Sequence, residues 1–263
     1  MKSTKVILIL VDGMRPDSIL ECNNSVGEKV LKTAAWKDMK ARTVFPSITL
    51  PCHMSLFHGV TPQKHGVLTN MYFPMAHEYK GLAEALHDAG KKVSFFYTWE
   101  ELRDLAKPGS LCESCFATMY NKECPDPEDF VTNAAITAAN NYMPDFAFLY
   151  LGIADETGHK YGWMSKEYLK AISNAWDNIG RVIHNIPNDY RVIITADHGG
   201  HGFNHGSNDP LDMTIPIIFW GDFNNITFTG KEGRSSILDI APTIVKWLDV
   251  AGEVEWEGNS LTQ

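Results

Sequence analysis

The hydrophobic pattern of this chain alternates between two periods. Lys5 to Val11 is a continuous apolar, β-branched run, the signature of a strand buried on both faces of a parallel sheet. Similar runs predict strands at Ala41 to Phe45, Lys92 to Tyr97, Asp145 to Leu151, Tyr190 to Ile194 and Thr214 to Trp220. Between them lie helical stretches: from Pro51 to about His58, Leu82 to Ala89 closed by Gly90, Glu128 to Tyr142, Lys166 to Ile186 and Ser235 to Val250. In the last of these Ile237, Ile240, Ile244, Val245 and Leu248 share one face. Strands alternating with helices predict an α/β fold with a mainly parallel sheet. Trp99 to Pro127, with Pro108, Gly109, Pro125 and three cysteines, is expected to be an irregular excursion. No repeat or composition break marks a second domain, so residues 1–263 are expected to form one.

Composition narrows the function classes. The net charge is 23 − 32 = −9, which argues against a surface that coats nucleic acid. Only six apolar residues, Val6 to Val11, precede Asp12, too few to span a membrane and unlike a secretory leader. The expectation is a cytoplasmic protein with no membrane partner. Cys112, Cys115 and Cys124 are spaced C-x2-C-x8-C with no fourth ligand nearby, so they read as reduced cysteines rather than a structural zinc site.

Polar residues collect where the predicted strands end. Asp12 follows the first strand, and Asp197-His198 follow Tyr190 to Ile194. Asp155 and His159 follow Asp145 to Leu151, four residues apart around Gly158, in what reads as a tight polar turn. Thr49 lies just before Pro51, near a helix start where free N–H groups favour a phosphate. Each has a plain alternative: Asp12 as a turn former, Thr49 as an N-cap, the histidines as loop polarity. Taken together, four ends of one sheet edge bear ligand-type residues, and open α/β sheets bind their ligands there. Two divalent cations fit this set. One takes Asp12, Asp197, His198 and Thr49, and the other takes Asp155, His159 and a histidine of the Gly-rich loop, His201 or His205. Imidazole with carboxylate suits zinc, with manganese or iron as the alternatives. Two such ions about 3.5–4 Å apart can hold both oxygens of an in-line displacement at phosphorus, with Thr49 as nucleophile and Asn70 donating its amide to a phosphoryl oxygen.

In order, Val11-Asp-Gly-Met-Arg-Pro-Asp17, Phe45-Pro-Ser-Ile-Thr-Leu-Pro-Cys-His53, Gly59-Val-Thr-Pro-Gln-Lys-His-Gly66, Asp155-Glu-Thr-Gly-His159, Asp197-His-Gly199 and His205-Gly206 run through nearly the whole chain. This set resembles the alkaline phosphatase superfamily, and most its type I phosphodiesterase/nucleotide pyrophosphatase branch. The resemblance implies a three-layer sandwich with minimal or no cap domain, a Thr49 nucleophile, a bimetal site and a phosphate-binding Asn70. It selects His205 over His201. Cys52 stands where the family usually has asparagine, so a contact behind the nucleophile is expected to differ. No Cys/Ser-x-Pro-x-Arg segment is present, which disfavours a sulfatase. The expected function is metal-dependent hydrolysis of a small phosphorylated substrate by a phosphodiesterase or nucleotide pyrophosphatase. The alternatives are a phosphonate (phosphonoacetate-type) hydrolase, a phosphomonoesterase, or a non-catalytic metal-binding protein of the same fold. No arginine closely follows Thr49 to meet the extra charge of a monoester, although Arg15, Lys64 or Lys160 could serve. Tyr72, Phe73, Tyr161 and Trp163 flank these segments, either to stack a nucleobase or as apolar cover.

Overall fold

The computed structural model describes residues 4–263 apart from 76, 119, 121–123 and 125. Met1 to Ser3 of the amino-terminal stretch and Pro125 of the excursion therefore lie outside the described residues. Among the described residues there are seven strands: β1 (Lys5–Val11), β2 (Trp36–Arg42), β3 (Val93–Tyr97), β4 (Glu113–Phe116), β5 (Phe146–Leu151), β6 (Tyr190–Thr195) and β7 (Thr214–Trp220). They form one sheet in the order β2-β7-β6-β1-β5-β3-β4. The run from β6 to β4 is parallel, and β7 is antiparallel to both its neighbours. Every residue of β3 and β5, and all of β1 after Lys5, is buried, as a sheet covered on both faces requires.

The helices are α1 (Ser18–Glu21), α2 (Ser25–Thr33), α3 (Thr49–His58), α4 (Pro62–His65), α5 (Leu82–Asp88), α6 (Pro127–Asn141), α7 (Ile153–Tyr161), α8 (Lys166–Asn185), α9 (Pro210–Met213) and α10 (Ile240–Trp247). They pack in two groups. α1, α2, α6 and α7 lean on α8, while α4, α5 and α10 lean on α3. The result is the expected three-layer arrangement around a mainly parallel sheet. Among the described residues no helix is long and apolar enough to cross a membrane.

Four expectations need correction. The second strand is Trp36–Arg42, not Ala41 to Phe45. It is an edge strand with a bulge between Asp38 and Ala41, so only one of its sides needs a partner and charged residues suit it. Asp155 to His159 is not a tight turn but the body of α7. Gly158 is required there for close approach, since a Cβ would lie 2.8 Å from the Trp163 ring. The excursion after Trp99 is only partly irregular, because β4 extends the sheet by a short parallel edge strand. The last helix divides into a 3-10 turn at Ile237–Asp239 and α10.

Register explains why the ligand-type residues meet. Leu10 of β1 aligns with Thr195 of β6, and Val11 with Leu151 of β5. Three adjacent parallel strands thus end level. Asp12, the start of α7 and Ala196-Asp197-His198 emerge side by side.

Candidate functional site

Two groups of metal-type ligands stand at this edge. Asp12, Asp197 and His198 form one, and Asp155, His159 and His205 the other, with the ligand atoms of each group within 4.8 Å of one another. In the first, His198 Nε2 lies 3.3 Å from Asp12 Oδ1 and 3.2 Å from Asp197 Oδ2. In the second, His159 Nε2 lies 3.4 Å from Asp155 Oδ2, and His205 Nε2 lies 3.6 Å from Asp155 Oδ1. The groups touch through the stacked rings of His198 and His205, whose centroids are 3.7 Å apart.

The chemistry of these atoms fits cations. Each imidazole directs Nδ1 at a backbone carbonyl: His198 at Gly199, His159 at Phe203 and His205 at Ser47, at 2.8, 3.0 and 2.8 Å. A carbonyl only accepts, so Nδ1 carries the proton and Nε2 turns a lone pair inward. His159 Nε2 and His205 Nε2 then face each other at 3.1 Å, lone pair against lone pair. Asp12 Oδ1, Asp155 Oδ1 and Asp197 Oδ2 are buried without a hydrogen-bond partner. Orphaned carboxylate oxygens are costly unless something positive meets them. Burial raises the pKa of Asp12 and Asp155 well above the carboxylate range, and the nearby Asp197 adds to it. Burial lowers His198 and His205 to about 3, so both are neutral ligands at ordinary pH. His201, by contrast, is bound at 2.7 Å to Asp212 Oδ1 outside both groups. The loop therefore brings His205 to the site and turns His201 into a brace.

Thr49 begins α3, but it does not cap it. Ile48 holds the cap position, and the Thr49 hydroxyl lies 3.2 Å from His198 Nε2. Asn70 Oδ1 accepts the Leu50 N–H at 3.0 Å. That contact fixes the orientation of the amide and leaves its NH2 group to donate elsewhere, beside the same helix end.

Sequence reasoning missed several supports. Tyr150, at the end of β5, donates its hydroxyl to Asp12 Oδ2. Its signal was a tyrosine inside an apolar strand, whose hydroxyl needs a buried partner. The His53 Nδ1–H donates to Thr49 O at 2.8 Å and lies 3.7 Å from Asp197 Oδ2. The four-residue spacing from Thr49 placed it on the same helix face. Gly13 N–H holds Asp197 Oδ1 at 3.2 Å. Cys52, one turn along α3 from Thr49, accepts the Thr43 hydroxyl at 3.1 Å. Trp163 is not open to a substrate. Its Nε1 donates to Gly13 O at 3.0 Å, and Cβ atoms added at Gly158 or Gly200 would lie 2.8 and 2.2 Å from its ring. Phe73 and Tyr161 are exposed, and Tyr72 is half-buried.

An open cleft of about 840 Å³ adjoins Asn70, lined by Met71, Tyr72 and Asp104 among others. A larger cavity of about 1120 Å³ lies between α2, the end of α8 and Trp220 to Asn224, and shares no residue with the ligand groups. Concavity alone would point to the larger one, but the orphaned carboxylate oxygens of the two groups lie at the strand ends instead.

The family described as type I phosphodiesterase / nucleotide pyrophosphatase matches residues 6–231. The chain belongs to the type I phosphodiesterase / nucleotide pyrophosphatase family. Relatives of this chain include venom phosphodiesterase 2 of Crotalus adamanteus, 25% identical over 88% of this chain and 30% of that protein. Ectonucleotide pyrophosphatase/phosphodiesterase family member 7 of Rattus norvegicus is 25% identical over 90% of this chain and 57% of that one. The chain thus spans less than a third of the length of the venom enzyme. In fold it resembles murine ectonucleotide pyrophosphatase/phosphodiesterase 5 in complex with AMP, with a TM-score of 0.77 at 14% identity, covering 99% of this chain and all of that one. The fold is that of the alkaline phosphatase superfamily.

Proposed function

We propose that this phosphodiesterase-family chain hydrolyses small phosphodiesters or nucleotide pyrophosphates with Thr49 as nucleophile. One observation carries the reading: the Thr49 hydroxyl lies 3.2 Å from His198 Nε2, among ligands whose buried carboxylate oxygens have no partner. Asp12, Asp197, His198 and Thr49 would hold one divalent cation, and Asp155, His159 and His205 a second. Zinc fits this donor set best, with manganese or iron as the alternatives. Such ions would supply Lewis-acid stabilisation of negative charge that develops during the reaction.

Thr49 Oγ1 attacks phosphorus, an O–P bond forms, the bond to the leaving oxygen breaks, and the hydroxyl proton ends on the departing alcohol or phosphate. Water then attacks the phospho-threonine, releasing a phosphomonoester and restoring the hydroxyl. Asn70 donates its free amide N–H to a non-bridging oxygen as charge grows there. The choice of diester over monoester rests on charge. Arg15 pairs with Asp17 and reaches Gly200 O, Lys64 pairs with Glu257, and Lys160 lies over the Tyr161 ring. All three cations that could meet a second negative charge are engaged. Tyr72, Phe73 and Tyr161 are the aromatic groups available to a leaving group. One catalytic unit is part of the proposal, supported by a single sheet built from residues 5 to 220. A cytoplasmic location is proposed too, supported by five free cysteines; the relatives named above are venom and ectonucleotide proteins.

Thr49→Ala is expected to lower turnover of bis-p-nitrophenyl phosphate by at least about 10³-fold while metal analysis still finds both ions. Wild-type-like rates in that variant would sink the mechanism. Faster turnover of p-nitrophenyl phosphate or phosphonoacetate than of the diester would move the substrate to the monoester or phosphonate class.

A further inference from the structure

The first turn of α7 has no local cap. Gly152 occupies the cap position with φ −105° and ψ −10° and brings no side chain to the free N–H groups. A group from another element does so instead. Glu128, 25 residues upstream in α6, is buried, and its Oε1 accepts the Ile153 N–H at 2.8 Å. Ile153 is the first residue of α7, Asp155 stands in its first turn and His159 one turn on. The carboxyl therefore holds the end of the helix from which two of the three outer ligands project.

We infer that Glu128 is a positioning residue for the Asp155, His159 and His205 group, setting where α7 begins and so where its ligand atoms stand. The inference rests on the reading of that group as a cation site. Three observations carry it. The contact is the one cap-like contact α7 receives from a side chain among the described residues. No second partner appears for Glu128 that would give it another purpose among the side-chain hydrogen bonds of the described residues. Asp155 Oδ1 has no hydrogen bond of its own to hold it, so its place depends on the backbone that carries it. A ligand set displaced by a fraction of an ångström loses affinity, because coordination distances tolerate little error. Burial pushes the Glu128 carboxyl up to about 7, and Oε1 can accept the N–H in either protonation state.

The test is a competition titration of the metal-free full chain with Zn²⁺ against a chromophoric chelator. Wild type, Glu128→Ala, Glu128→Asp, Glu128→Gln and His205→Ala are compared. Two equivalents are expected for wild type, with one lost in His205→Ala. Failure there overturns the cation-site reading, whatever Glu128 does. Given two equivalents, Glu128→Ala is expected to weaken the one that His205→Ala removes by about 10–100-fold, the range typical of residues that orient ligands. The other equivalent should be unchanged, and Glu128→Gln should restore both to within about threefold. If Glu128→Ala does not fold, Glu128→Asp carries the test, since it withdraws the carboxyl by one methylene and should weaken the same equivalent. Unchanged affinity, equal weakening of both equivalents, or no rescue by glutamine overturns the inference, because each is what a merely structural glutamate would give.

Discussion

The two ligand groups are made of the same residue types but are built differently. Asp12, Asp197 and His198 are fully buried at the ends of adjacent parallel strands, with β1 and β6 locked in register behind them. Asp155, His159 and His205 come from a helix and a loop, and the side chain of His159 is 36% exposed. The sheet fixes the first group by backbone hydrogen bonding. The second is fixed by packing and by single contacts such as His205 to Ser47 O and Glu128 to Ile153. The inner group should therefore be the stiffer and tighter, and the outer one the adjustable partner.

The largest effect that can break this comparison is at the inner group. Asp197→Asn removes an acid that touches both His198 and the His53 side of α3. Turnover of bis-p-nitrophenyl phosphate is expected to fall by about 10⁴-fold or more, with loss of the tighter metal by elemental analysis. If the looser ion leaves instead, the ranking is reversed. Next in size is the outer group. His205→Ala should cost roughly 10²-fold or more in kcat/KM, a plausible scale for a lost electrostatic contribution, and His201→Ala no more than about threefold. Comparable losses would mean that the loop does not discriminate between its histidines.

These residues differ in how far the sequence disclosed them. The buried strands were legible because a run such as Val6 to Val11 is β-branched, too short to span a membrane and of strand length. The place of the inner residues was legible for the same reason: Asp12 follows such a run directly and Asp197 two residues after another. Asp155 and His159 were found as residues but not as a helix. Gly158 suggested a turn, and its actual cause, the Trp163 ring, is a tertiary contact. Glu128 and Tyr150 meet their partners 25 and 138 residues away, and no local spacing encodes such contacts. Trp36–Arg42 was missed because an edge strand need not be apolar.

A last expected effect, on stability rather than turnover, is a pH dependence that belongs to the outer group's support. The Glu128 carboxyl is raised to about 7 by burial, with Asp126 adding to it, from an ordinary 4.5. A raised acid favours the folded state while protonated. That contribution is fully present below about pH 4.5 and is lost as pH rises through about 7. Glu128→Gln should remove this slope. The difference in unfolding free energy between variant and wild type, from urea denaturation, should grow in the variant's favour by up to about 3 kcal/mol from pH 4.5 to 7.5. A flat difference across that range would mean that the carboxyl titrates normally and is less enclosed than its burial implies.

Trp163 carries a consequence for how such a site can change over generations. Its indole fills space vacated by missing side chains at Gly158 and Gly200, and it is bonded to Gly13 O. These positions lie in three separate segments, each bearing a ligand. A mutation adding a methyl at Gly158 or Gly200 meets the same ring, so those sites are not free to drift singly. Trimming the indole first would open room for both. The segments around the two groups are thus sterically coupled through one ring, and a smaller residue at position 163 is the step that would let Gly158 and Gly200 be substituted.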